Sequence, residues 1–139
     1  MPPAPYVTIT CAHDLGLVMT VTASLRATCT VVSPPGAACA MGVPWWAALV
    51  ADCPLPAVLD CGQAAGYAAT ALRAGMGGVI ARVTTAQHHA LAALARVTGG
   101  HVMERRPDAL DLPPHGATGT LERYLRAHHA CGGGSPPRW

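Results

Sequence analysis

The sequence predicts an α/β domain: a single doubly wound, mostly parallel five-stranded sheet with helices on both faces. Three observations predict it. Short apolar runs rich in β-branched residues (YVTITCA, TCTVVS, PAVLDCG, GGVIARV) alternate with longer stretches carrying apolar residues at helical spacing. The alternation repeats five times. Proline and glycine punctuate the boundaries, as in PPG and GMGG. A flavodoxin-like strand order of 2-1-3-4-5 is the expected arrangement, and half of a (β/α) barrel gives a similar pattern.

YVTITCA reads as the first strand, and HDLGLVMTVTASLR as a helix with Val18, Val21, Thr22 and Leu25 inward, Thr20 and Ser24 outward, and Asp14 as its cap. TCTVVS is the second strand. Pro44 suits the first turn of the helix PWWAALVAD, where a missing amide hydrogen costs nothing. PAVLDCG is apolar on both faces, as buried parallel strands are. QAAGYAATALRAG follows as a helix with Ala65, Ala68, Ala69 and Leu72 inward, Thr70 and Arg73 outward, and Gly75 as its stop. GGVIARV leads into a helix with Ala90, Leu91, Leu94 and Val97 on its apolar side and Thr85 as a cap, and HVMERR is the fifth strand. Residues 1–112 form the α/β domain, TGTLERYLRAHHA within 113–130 a last helix packed on it, and 131–139 a flexible tail.

Composition narrows the function classes. Of 139 residues 51% are hydrophobic and only 12% charged, which argues for one folded core. The nine basic residues are all arginine, and their only adjacent pair is Arg105 and Arg106, so the basic stripe that binds nucleic acid is missing. The uncharged stretch between Arg26 and Asp52 is interrupted by Pro34, Pro35, Gly36, Gly42 and Pro44, against a membrane helix. MPPAPYVTIT does not resemble a secretory signal, so a cytoplasmic location is expected. Abundant Ala and Arg, with no Lys, Asn or Phe, point to a GC-rich bacterial genome. The adjacent Trp45 and Trp46 cannot both enter the core, and an exposed one would favour a homo-oligomer.

Candidate site residues come from the strand ends, where open α/β sheets bind ligands. In the order 2-1-3-4-5 the first and third strands are neighbours, which brings Cys11, His13 and Asp14 beside Asp60, Cys61 and Gln63. Cys11 at a helix N-terminus would act as a nucleophile, with His13 and Asp60 as acid/base or orienting groups in phosphoryl or acyl transfer. Asp14, Ser33, Cys61, Gln63, Arg82 and Thr84 would contact a ligand, with Arg82, Thr84 and Thr85 suited to an anionic group. The cysteine followed by AHDLGLVMT resembles the phosphotransferase-system IIB proteins, whose strand-one cysteine carries a phosphoryl group. That likeness covers about ten residues, and Leu15, Leu17 and Val18 stand where those proteins have a hydroxyl- and glycine-rich loop. No P-loop, G-x-G-x-x-G, C-x-x-C or H-E-x-x-H motif is present, so the sequence identifies no cofactor and no metal site. The expected function is a small module that binds a small ligand, an anion among the options, or a protein partner at the carboxyl edge of its sheet. The alternatives are the Cys11 enzyme and a structural subunit of a larger assembly.

Overall fold

Among the described residues every strand pairing is parallel. The computed structural model describes residues 4–131. The chain runs β1 (Tyr6–Thr8), α1 (Ala12–Leu25), β2 (Thr30–Val32), α2 (Ala37–Met41), α3 (Val43–Leu49), β3 (Ala57–Asp60), α4 (Ala65–Arg73), β4 (Gly78–Ile80), α5 (Thr85–Thr98), β5 (His101–Met103), β6 (Ala109–Asp111) and α6 (Ala117–Cys131). The α/β class and the parallel sheet are as the sequence predicts. The tail expected at 131–139 lies outside the described residues, except Cys131, which closes α6.

The sheet has six strands in the order β5-β4-β3-β2-β1-β6, which corrects the expected 2-1-3-4-5. From β1 to β5 each strand is laid beside its predecessor on the same side. Parallel crossovers are right-handed, so stepping always in one direction puts every crossover helix on the same face. The buried side chains agree. Val7, Val31, Leu59 and Val79 pack with residues of all six helices, among them Val18, Trp46, Leu72, Leu91, Leu121 and Leu125. The opposite face holds a separate cluster of strand residues alone, Tyr6, Val32, Val58, Ile80 and Met103, with Ala109 against it. The sheet is therefore singly wound, with helices on one face rather than two. Hydrophobic periodicity identifies a helix or a strand but not the direction in which the chain steps to its next neighbour.

Only the passage from β5 to β6 reverses direction, and its length constrains the shape of the sheet. The two strands stand at opposite edges, five spacings apart, which is about 24 Å across a flat sheet. The registers set Ala109 four residues below Met103 along the strand direction, a further ~13 Å. The six Cα steps between them reach about 22 Å at full extension. A flat sheet cannot be bridged this way, so the strands must curl toward their helix-free face and bring β5 and β6 together.

Local rules explain most of the elements. Pro44 occupies the first turn of α3, as expected. Trp46 is fully buried, while Trp45 is half-buried with its ring centroid 5.7 Å from that of Trp46. In α1 the buried residues are Leu15, Val18, Val21 and Thr22. In α4 the buried face is Ala68, Ala71 and Leu72. In α5 Leu91 and Ala95 are buried, but Val97, expected on the apolar side, is 84% exposed and Ala90 is exposed too. Val97 sits six positions after Leu91, about 240° round the helix, and so turns away from the sheet. At Gly100, before β5, an added Cβ would meet Leu72 Cδ2 at 2.7 Å and the Met76 carbonyl at 3.0 Å. The close approach of this turn to the end of α4 thus depends on glycine.

Candidate functional site

The carboxyl edge of the sheet is organised by a residue of the short β5–β6 link. Arg106 Nη1 donates to Asp60 Oδ2 at 3.0 Å and to the Ser33 carbonyl at 2.8 Å, and Nη2 donates to Thr8 Oγ1 at 3.2 Å. One guanidinium thus ties together the ends of β1, β2 and β3. Thr8 and Asp60 lie two positions beyond Tyr6 and Val58, on the helix-free face, so the link crosses that face. Asp60 is almost wholly buried, and its second oxygen accepts the Gly62 amide hydrogen at 2.9 Å. The Ser33 hydroxyl oxygen accepts from the Asp60 amide at 2.8 Å and its hydrogen is donated to the Pro34 carbonyl at 3.2 Å. A buried carboxylate is tolerated only with partners, and this one has an arginine and a backbone donor.

The sequence-predicted residues are distributed unevenly around this knot. β2 separates β1 from β3, so the expected side-by-side placement of the Cys11 and Cys61 strands is corrected. Cys11 is the exposed N-cap of α1, with no side-chain hydrogen bond to the helix. His13 and Gln63 are exposed. Cys61 is fully buried, and its thiol is pushed up to about 12, first by loss of hydration and then by the nearby Asp60 and Cys39. A thiol so placed is covered by its neighbours rather than open to solvent. Asp14 does not cap α1 itself; its carboxylate accepts from the amide (2.9 Å) and hydroxyl (2.8 Å) of Thr10, just before the helix. Asp60, the other expected orienting group, is bonded to Arg106 and Gly62 rather than to Cys11 or His13. The structure therefore joins Asp60 with Ser33 and leaves the Cys11–His13–Asp60 trio without mutual hydrogen bonds among the described residues.

Sequence reasoning missed Arg106. The signal was a carboxylate closing a buried strand, which demands a counter-charge, together with an arginine in a loop too short to do anything but cross the sheet.

Among the clefts at this edge, two are lined by residues the sequence singles out. The larger, of about 510 Å³, lies beyond β4 and β5 and is lined by Arg82, Thr85, His88, His89 and Glu104. Thr84 caps α5 in a reciprocal box: its hydroxyl accepts from the Gln87 amide at 3.2 Å, and Gln87 Oε1 accepts from the Thr84 amide at 3.1 Å. The cap expected at Thr85 falls one residue earlier, and it fixes the positive end of this 14-residue helix beside the cleft. The Arg82 amide donates to the Gly62 carbonyl at 2.8 Å, which anchors the backbone. Its exposed guanidinium has no hydrogen bond or ion pair among the described residues. On the facing wall His88 Nε2 and Glu104 Oε1 are 3.2 Å apart, and His88 Nδ1 is buried without a partner among the described residues. The smaller cleft, of about 290 Å³, lies where β6 reverses the strand order and is lined by Thr8, Thr10, Asp14, Pro34 and Asp111.

Among the described residues no group of three or more His, Cys, Asp or Glu side chains is placed to hold a metal ion. No helix among them is long and apolar enough to cross a membrane. Comparison with protein-family models, curated proteins and solved structures gives no match.

Proposed function

We propose that this protein is a binding module for a small anionic ligand, held in the cleft beyond β4 and β5. The observation that carries this reading is Arg82. Its backbone is anchored, its guanidinium is exposed and unpaired among the described residues, and it lines a concave site beside the N-terminus of α5. An arginine fork matches the oxygens of a carboxylate or phosphate, and the unpaired amides of a helix start add donors to the same anion. Arg106, at the same edge, is committed to Asp60, Ser33 and Thr8, and Arg82 is the arginine that lines this cleft. Thr85 and His89 supply further donors, while Glu104, 3.2 Å from His88 Nε2, sets a repulsive limit on the far wall and selects for a compact ligand.

Titration of the isotopically labelled protein with inorganic phosphate, followed by amide chemical shifts, tests the reading. Saturable shifts centred on residues 82–89 are expected, with affinity reduced about tenfold or more in Arg82→Ala, as loss of a charge-assisted contact implies. Shifts that do not saturate, or that are the same in Arg82→Ala, would overturn it. Cysteine-based transfer has less support, because the exposed Cys11 lacks a bonded base and Asp60 is already held by Arg106.

A further inference from the structure

We propose that Cys39 and Cys61 form a redox-active dithiol, converted to an intramolecular disulfide by a small-molecule disulfide of the glutathione type. The two residues belong to elements in direct contact. Cys39 lies in the first turn of α2, which rests on β3, and its Sγ is 3.6 Å from the carbonyl oxygen of Cys61. The loops that flank them meet backbone to backbone: a Cβ added at Gly62 would lie 3.7 Å from the Cα of Gly36, the N-cap of α2. Cys39 is exposed whereas Cys61 is fully buried, with its Sγ 3.8 Å from the Leu59 carbonyl. This is the asymmetry of an attacking and a resolving thiol: one residue is open to the reagent and its neighbour is covered. α2 is a five-residue piece between two glycines at positive φ, Gly36 at 65° and Gly42 at 88°.

The exchange balances. The Cys39 thiolate attacks one sulfur of oxidised glutathione, forming a mixed disulfide and releasing one glutathione thiolate, which takes up the proton. Cys61 then loses its proton and its sulfur attacks Cys39 Sγ, expelling the second glutathione. Two protein thiols are oxidised and one glutathione disulfide is reduced to two thiols. Burial pushes the Cys61 thiol up to about 12, so the second step is slow at neutral pH and quickens as pH rises. The other buried thiol, Cys29, has no fully exposed partner in this role: its neighbour Cys53 is half-buried and turned to the Leu55 carbonyl at 3.5 Å.

The test incubates the reduced full chain with oxidised glutathione at pH 7 and pH 9, traps free thiols with an alkylating agent under denaturing conditions, and cleaves after Trp46 with chymotrypsin to separate the two cysteines. The expected product is a linked pair of peptides carrying Cys39 and Cys61, formed several-fold faster at pH 9. In Cys39→Ser, Cys61 should remain alkylatable and free of glutathione. In Cys61→Ala the reaction should stop at a stable glutathione adduct on Cys39. Wild-type protein that stops at the Cys39 adduct at both pH values, or a link from Cys39 to any other cysteine, would overturn the proposal. The Cys39→Ser arm decides the matter even if Cys61→Ala fails to fold.

Discussion

Arg106 and Asp60, forty-six positions apart, form an ion pair with a 3.0 Å contact at the carboxyl edge of the sheet. The carboxylate is buried and the guanidinium about one-fifth exposed, so the pair is neither a surface bridge nor a wholly dry one. Breaking such a pair from the cationic side leaves a buried charge uncompensated. Arg106→Ala should therefore lose about 3 kcal/mol in urea unfolding. The double variant Asp60→Asn with Arg106→Ala should lose clearly less than the sum of the two single losses, which shows the coupling. A loss under ~0.5 kcal/mol in the single variant would mean that the link is held by something else.

Stability should fall on the alkaline side. Burial pushes the Cys29 thiol to about 11 and the Cys61 thiol to about 12, from an ordinary value of 9.0. Below pH 9 both thiols keep their protons in folded and unfolded chains, and the stabilisation is complete. Above it the unfolded chain releases them first, so stability declines as pH rises toward 11 for Cys29 and toward 12 for Cys61. Denaturant midpoints measured from pH 8 to pH 10.5 under reducing conditions should drop, and Cys29→Ala should flatten the slope. A midpoint that stays level over this range would contradict the burial of both thiols.

Gly100→Ala should destabilise the protein by about 1–3 kcal/mol, since the new methyl group would press on the Leu72 side chain and the Met76 carbonyl. The neighbouring substitution Gly66→Ala, with nothing within 4 Å of the added carbon, serves as the control and should be neutral or slightly stabilising. Thermal midpoints of the two variants make the comparison. Equal midpoints would show that the turn before β5 has room to yield.

Much of the fold was legible residue by residue. Pro44 marks the start of α3, the expected start of α5 falls within one residue of its Thr84 cap, and the β-branched runs TVV and GVI are strands because their side chains fit a buried pleat. These are local effects, settled within a few residues. The site was legible only in part. Asp60 and Ser33 were singled out from the strand ends and do meet, but their partner Arg106 lies in a link whose importance comes from where it crosses, not from its own sequence. β6 was missed because Ala109–Asp111 carries no β-branched residue and lies between Pro107–Asp108 and Pro113, unlike the equally short TVV and GVI. Val97 was misplaced because an alanine-rich helix offers more than one weakly apolar face, and the sheet selects which is buried.

By itself the sequence determined the alternation of strands and helices, the parallel sheet, and the set of polar groups available at the strand ends, because these follow from side-chain period and backbone chemistry. Only the tertiary structure decided that the sheet is wound in one direction, that it curls, and that Arg106 rather than Cys11 faces Asp60. The physical reason is that strand order is set by long-range packing and by the reach of one short link, and neither leaves a local signature in the chain.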